Sequence, residues 1–316
     1  MRTPCLTYRG SKRALAKEIV DTILSRHKHP FKLYDLFGGG GAITFEASTR
    51  PQITEVAYSD INTSIVSLLN HIKRRGVPKE GTDWVSKEEF MVRRNKNDAI
   101  SGLIKLLWSY GASMGQYCYG ENRVEAKRIA HELIVDGFSP GLSSFGIDVP
   151  DDILLIINPT KRRTQIIQFL QDKAKKLMEQ KGWTDDQRRI LKELAGSPIP
   201  EPLVRLKSME RLNTFNFSNI TFTKAAYNRV AITEDPAEVV LYCDPPYKGH
   251  AGYGPTLKHF NYNAFYRWCS RSPYTIYISE YDIPFGEVAQ WEHRCTAIPS
   301  EKARLVTEKL FCNKVK

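Results

Sequence analysis

Val239-Val240-Leu241-Tyr242-Cys243-Asp244-Pro245-Pro246-Tyr247 is the stretch on which the fold turns. Five consecutive apolar or aromatic residues suit one buried strand, and the paired β-branched valines favour that reading. Two prolines then end the ladder, because neither has a backbone N–H to donate. Asp244 is thereby placed at the carboxyl end of a core strand. In open α/β sheets that is the end at which ligands bind.

An acid, two prolines and an aromatic in this order suit methylation of an amino group attached to an aromatic ring. Such a nitrogen is a poor nucleophile, because its lone pair is delocalised into the ring. Asp244 can accept one N–H and the Pro245 carbonyl the other, which turns the lone pair out of the ring plane. Pro245 and Pro246 fix the loop, so the acceptors need not reorganise. Tyr247 offers a ring on which a flipped base can stack. For these four residues alone, the plainer alternative is a strand-ending turn with an incidental tyrosine.

Working outward, 316 residues leave room for one large or two ordinary domains. A hydrophobic content of 41% suffices for a real core. The net charge of +11 and pI near 9.3 favour an anionic partner. The cysteines Cys5, Cys118, Cys243, Cys269, Cys295 and Cys312 are scattered and form no C-x-x-C pair. That speaks against a zinc ribbon or a disulfide framework and for a reducing compartment. There is no run of about 18 apolar residues and no hydrophobic amino-terminal segment, so the reading is a soluble, cytoplasmic chain.

Near the amino terminus, Gly10-Ser11 makes a turn with Lys12 beside it, followed by an amphipathic helix from Ala14 to Leu24. A strand over Lys32–Leu36 runs into Gly38-Gly39-Gly40-Gly41 and then a helix. Four glycines let the backbone come close to a ligand at the helix start. The spacing is neither the dinucleotide fingerprint nor a phosphate loop. Asp60 ends a second strand about 20 residues later, where a nucleoside-binding sheet places an acid for ribose hydroxyls. Asp60 or Asn62 can instead be a helix cap.

Tyr8-Arg-Gly-Ser-Lys12, Asp35-Leu-Phe-Gly-Gly-Gly-Gly41, Ser59-Asp-Ile-Asn62 and Asp244-Pro-Pro-Tyr247 stand in the order seen in Dam-like N6-adenine DNA methyltransferases. The chain resembles their alpha-order class, in which the target-recognition segment precedes the catalytic motif. Phe260-Asn-Tyr-Asn-Ala-Phe265, Ile278-Ser-Glu-Tyr281 and Glu308-Lys-Leu-Phe311 resemble the same family. The resemblance covers roughly residues 5–75 and 205–312. It implies a Rossmann-like α/β methyltransferase sheet over 1–75 and 205–316, with a mainly helical target-recognition insertion over 76–204. It also implies S-adenosylmethionine as methyl donor and double-stranded DNA as partner, in a bacterial or phage-infected bacterial cell. Tyr8, Lys12, Asp35, Phe37, Asp60, Ile61 and Asp244 would line the cofactor pocket. Gly39 and Gly41 would form the turn under its methionine part. Asp244, Pro245, Pro246 and Tyr247 would be catalytic. Displacement on a sulfonium needs no metal, and none is expected.

One position departs from the family. Within Ile220-Thr-Phe-Thr-Lys-Ala-Ala-Tyr227, Ala226 stands where many members carry an acid after the strand. Cytosine N4 or an RNA base remains an alternative target. So does a DNA-binding protein of the same fold without turnover. Inside the insertion, Ile104–Tyr110 reads as a core helix and Gly111–Arg123 as a hairpin or loop reaching nucleic acid. Basic helices are expected from Thr160 to about Lys181 and from Asp185 to about Ala195, and Ser197–Pro202 reads as a linker. Lys248–Pro255 reads as a glycine-rich loop over the target base. Tyr274–Ser279 reads as a strand and Lys302–Phe311 as edge strands.

Overall fold

Val239–Cys243 is the middle strand of a seven-stranded sheet, and all five of its residues are buried. The computed structural model describes residues 3–143, 145–196, 199–247, 260–295 and 304–315. In chain order the strands are β1 (Phe31–Asp35), β2 (Ile53–Asp60), β3 (Ile220–Lys224), β4 (Val239–Cys243), β5 (Thr275–Glu280), β6 (Gly286–Cys295) and β7 (Arg304–Cys312). Their spatial order is β3-β2-β1-β4-β5-β7-β6. The first five run parallel, while β7 pairs antiparallel with both β5 and β6. The order reverses between β1 and β4. The loops after those two strands therefore diverge and leave a crevice at their carboxyl ends.

Side chains alternate across the sheet as the pleat requires. Leu33 of β1 with Val240 and Tyr242 of β4 enter one core layer, together with Ile19, Phe45, Leu68 and Leu103 from helices. Val239, Leu241 and Cys243 face the other layer, with Phe265 and Cys269. The first layer is built by α1 (Ala16–Ser25), α2 (Ala42–Ser48), α3 (Thr63–Arg75), α4 (Lys87–Arg93) and α5 (Ala99–Leu107). The segment between α3 and β3 continues with α6 (Glu121–Asp136), α7 (Pro140–Ser143), α8 (Asp151–Leu154), α9 (Pro159–Met178), α10 (Asp185–Gly196) and α11 (Glu201–Glu210). Residues 76–204 contribute to two cores. Val85, Phe90, Trp108 and Tyr119 pack with the sheet layer, whereas residues from Ala126 to Leu194 form a separate apolar cluster around Ile129, Ile166 and Leu191. The helix α12 (Tyr262–Arg271) follows Asp244-Pro-Pro-Tyr247 in the chain and covers the second face.

Several local expectations shift. The core helix spans Ala99–Leu107 rather than Ile104–Tyr110: Asp98 caps its start, and beyond the C-cap Trp108 the chain enters a short turn in which Gly111 takes a left-handed φ of 57°. The prolines expected to make a linker instead start α11. Pro200 is its N-cap and Pro202 lies in its first turn, where a missing N–H is harmless. Within Lys302–Phe311, β7 is internal rather than an edge strand, and the edge is β6. The sequence of β6 intersperses Glu287, Gln290 and Glu292 among its apolar residues, as suits a strand with one open side. The Lys248–Pro255 loop lies outside the described residues. Among the described residues, no helix is long and apolar enough to cross a membrane.

Candidate active site

The crevice at the strand reversal opens into a cavity of about 1050 Å³. Tyr8, Lys12, Asp35, Phe37, Gly39, Asp60, Ile61, Asp244 and Pro246 all line it. Residues from four separated stretches thus meet in one place, while Gly41, Pro245 and Tyr247 stand behind the lining.

The glycine turn shapes the floor. Gly38 N donates to Ser59 O at 3.0 Å and Gly41 N to Gly38 O at 2.8 Å, which closes the turn against β2. Gly39 and Gly41 both take a left-handed φ, 48° and 76°, which favours glycine. Gly40 is required by space: a Cβ there would stand 2.7 Å from Tyr8 Cβ and 2.9 Å from Leu6 O. The expectation for Gly41 refines in position, since it is the N-cap of α2, and Gly38, Gly39 and Gly40 are the glycines that line the cavity.

Asp60 binds the turn to the start of α3. Its Oδ2 accepts Gly39 N at 2.9 Å and its Oδ1 accepts Asn62 N at 2.7 Å. The helix cap itself is Asn62, whose side chain accepts Ile65 N. Burial raises the pKa of Asp60 and the backbone donors oppose that rise. Asp35 is almost fully buried; its Oδ2 accepts Thr44 Oγ1 at 2.6 Å, while Oδ1 has no partner among the described residues. Burial pushes its carboxyl up to about 7.

At the other wall, Lys12 Nζ donates to Asp244 Oδ1 at 2.8 Å. The same ammonium is 3.7 Å from Glu308 Oε1 and 4.5 Å from the centre of the Tyr247 ring. Burial raises the Asp244 pKa, and Lys12 counters it. The Tyr247 hydroxyl donates to Glu308 Oε1, and its ring meets that of Tyr281 edge-on at 4.8 Å. Tyr247 is therefore buried, with 7% of its surface exposed, and does not stand open to the cavity. Glu280, at the carboxyl end of β5, is buried with Oε2 lacking a partner among the described residues, and burial lifts it to about 7.

Sequence reasoning assigns no site role to Glu280, Glu308 or, on a third wall, Arg94, Asn95 and Asn97, while the rest of that wall falls in the Gly111–Arg123 stretch expected to reach nucleic acid. Glu280 carries a usable signal, an acid ending a strand beside β4. Glu308 is a lone acid in an apolar strand. The third wall consists of Arg94, Asn95 and Asn97 after α4, with Ala112 to Gly115. There Ala112 and Met114 hold positive φ values of 53° and 63°, uncommon for residues with a Cβ. Arg94 Nη1 donates to Gly115 O at 3.1 Å and Asn62 Nδ2 meets Met114 Sδ at 3.5 Å. Ala226 does line the cavity without an acid, and Asn228 brings an amide to the same wall. The hairpin expected within Gly111–Arg123 is limited to a bridge between Ser109 and Tyr117, and α6 begins at Glu121.

No curated protein is found to match the chain. The stretch from Tyr8 into α6 carries the resemblance further into the insertion than the motifs alone suggest: residues 8–131 match the family model described as D12 class N6 adenine-specific DNA methyltransferase, the family to which the motif order pointed.

Proposed function

We propose that the chain transfers a methyl group from S-adenosylmethionine to N6 of an adenine flipped out of double-stranded DNA. One observation carries this reading most directly: the glycine turn after β1 and Asp244-Pro-Pro-Tyr247 after β4 flank a single cavity at the strand reversal. The D12 family match supports the same chemistry for the amino-terminal part.

The residues present fit the proposed cofactor. A glycine turn lining the cavity and packed tightly on Tyr8 and Leu6, an acid in Asp60 and the apolar side chains of Phe37 and Ile61 suit a nucleoside joined to a short chain. When bound, S-adenosylmethionine supplies an electrophilic methyl group on a sulfonium. The protein's own part is positioning. Lys12 donates to Asp244 Oδ1 and Tyr247 also hydrogen-bonds that carboxylate, and in this reading the carboxylate so held accepts one N–H of the target amine. The Pro245 carbonyl, between the lining residues Asp244 and Pro246 though not itself part of the lining, would accept the other once the base is bound, and two adjacent prolines hold both acceptors in place. Burial raises the affinity of Asp244 for a proton, so it is suited to take the proton that the methylated nitrogen must lose. Residues 76–204 serve as the target-recognition segment in this reading, and the sheet with its flanking helices serves as the catalytic domain. Asn228 supplies a polar edge contact at the wall where Ala226 offers none.

The test is incubation of the purified protein with double-stranded DNA and methyl-labelled S-adenosylmethionine, alongside calorimetry of cofactor binding. Label in the DNA with saturable cofactor binding supports the reading. Cofactor binding without label would instead describe a DNA-binding protein that lacks turnover.

A further inference from the structure

Glu308 has no role in the chemistry described above, yet it is the residue that joins the catalytic motif to the last strand of the chain. It lies on β7, 3% exposed, sixty-one positions beyond the tyrosine it binds. Its Oε1 accepts the Tyr247 hydroxyl and sits 3.7 Å from Lys12 Nζ. Lys12 in turn holds Asp244 and lies over the Tyr247 ring. Four side chains from three distant stretches therefore form one closed loop: Asp244 to Lys12, Lys12 to Glu308, Glu308 to Tyr247, and Tyr247 back through its own backbone to Asp244.

Such a loop constrains orientation. A phenol ring turns about two side-chain bonds, and a bond to its hydroxyl fixes the far end of that lever. A charge-assisted hydrogen bond in a buried place is strong as well as directional. Lys12 stands within ion-pair distance of two carboxyl groups, so removing one leaves the ammonium drawn wholly toward the other. Glu308 thus ties β7 to the motif that follows β4.

We propose that Glu308 is a positioning residue for the methyl transfer: by holding the Tyr247 hydroxyl behind the cavity wall and drawing on Lys12, it braces the motif so that the Asp244 acceptor keeps the geometry that receives the target base. The inference rests on the methyltransferase reading for its kinetic consequence, but the contact itself does not.

The experiment uses the full chain with its tyrosines labelled with carbon-13 at Cζ, and the variants Glu308→Ala, Glu308→Gln, Tyr247→Phe and Glu308→Ala with Tyr247→Phe. Tyr247→Phe assigns the Tyr247 resonance. Glu308→Ala is expected to move that resonance and to slow single-turnover methylation about tenfold or more, the scale of a lost hydrogen bond to a charged group. Cofactor affinity is expected to stay within about twofold, since Glu308 does not line the cavity. Glu308→Gln, which retains an acceptor, should restore most of the rate. Adding Glu308→Ala to Tyr247→Phe should lower the rate by clearly less than the product of the two single losses, because the two changes share the Tyr247–Glu308 contact and only the Lys12 contact is newly lost. An unmoved Tyr247 resonance in Glu308→Ala, or fully additive losses, would overturn the proposal. If the wild-type chain transfers no methyl group, the methyltransferase reading fails, and the resonance alone then decides whether Glu308 positions Tyr247.

Discussion

Lys12 Nζ stands 2.8 Å from Asp244 Oδ1, although 232 positions separate the two residues in the chain. With 9% and 19% of their side chains exposed, they form a largely buried ion pair that closes the crevice between the amino-terminal segment and β4. Glu308 shares the same ammonium. Removing one partner from such a pair is far more damaging than replacing both.

Lys12→Met is accordingly expected to leave Asp244 and Glu308 as buried carboxyl groups without a cation. Both already have raised pKa values through burial, and loss of Lys12 raises them further. The folded state then holds protons that the unfolded chain has released, so the penalty grows as pH rises above the ordinary carboxylate range. At about pH 8 the loss should approach roughly 3–5 kcal/mol, and at about pH 4 much of it should vanish. Chemical denaturation at the two pH values measures this; an equal loss at both would show that the pair contributes packing rather than charge.

Asp60→Ala should weaken S-adenosylmethionine binding by about tenfold or more, the scale of a lost hydrogen bond to a charged group. The same change frees Gly39 N and Asn62 N, so the thermal midpoint should fall as well. Calorimetry separates the two effects: reduced stability with unchanged cofactor affinity would make Asp60 a purely structural brace for the glycine turn.

Asp60 and Asp244 also mark how much of the molecule is legible in its sequence. The strand ending at Cys243, the acid after it and the glycine turn can be read because burial period, proline and glycine act locally. So can the convergence of Tyr8, Asp60 and Asp244, through the order of motifs. The Lys12–Asp244–Glu308–Tyr247 loop cannot, since it depends on β7 returning beside β5, a long-range pairing with no local trace. Nor can the internal place of β7, because its neighbour on the outer side, β6, is set by a long-range antiparallel pairing. The split of residues 76–204 between two cores is hidden for the same reason: α5 and α6 both bury apolar side chains, and the sequence does not say which layer each covers.

Asp35 supplies a prediction of the opposite pH sense to an ordinary salt-bridged acid. Its carboxyl titrates near 7 in the fold against an ordinary 3.8. The folded state keeps a proton that the unfolded chain loses between those values, so the favourable contribution is complete below about pH 4 and is lost as pH rises to about 7. Asp35→Asn, which keeps an acceptor for Thr44, should therefore raise the thermal midpoint relative to wild type more at about pH 8 than at about pH 5. A gain that does not depend on pH would show that Asp35 is ionised in the fold throughout.

The insertion should show itself through salt. Arg162 and Arg163 are half-buried, and burial lowers the Arg163 pKa, so they are poor probes of a nucleic-acid face. Lys173, Lys175 and Lys176 of α9 are exposed. If this helix meets the DNA backbone, log affinity should fall steeply with log salt, with a slope near about −0.9 for each phosphate neutralised. Glutamate at these three positions should flatten that slope by about two to three units. An unaltered slope would place the DNA on another face.

The methylated product itself decides whether Asp244 carries the reaction. DNA methylated by the protein is digested to nucleosides and separated by mass spectrometry, in parallel with DNA treated with Asp244→Ala. N6-methyladenine is expected from the wild-type chain and none from the variant, with the variant's thermal unfolding still cooperative. Predominant N4-methylcytosine, or N6-methyladenine in equal yield from Asp244→Ala, would contradict this assignment.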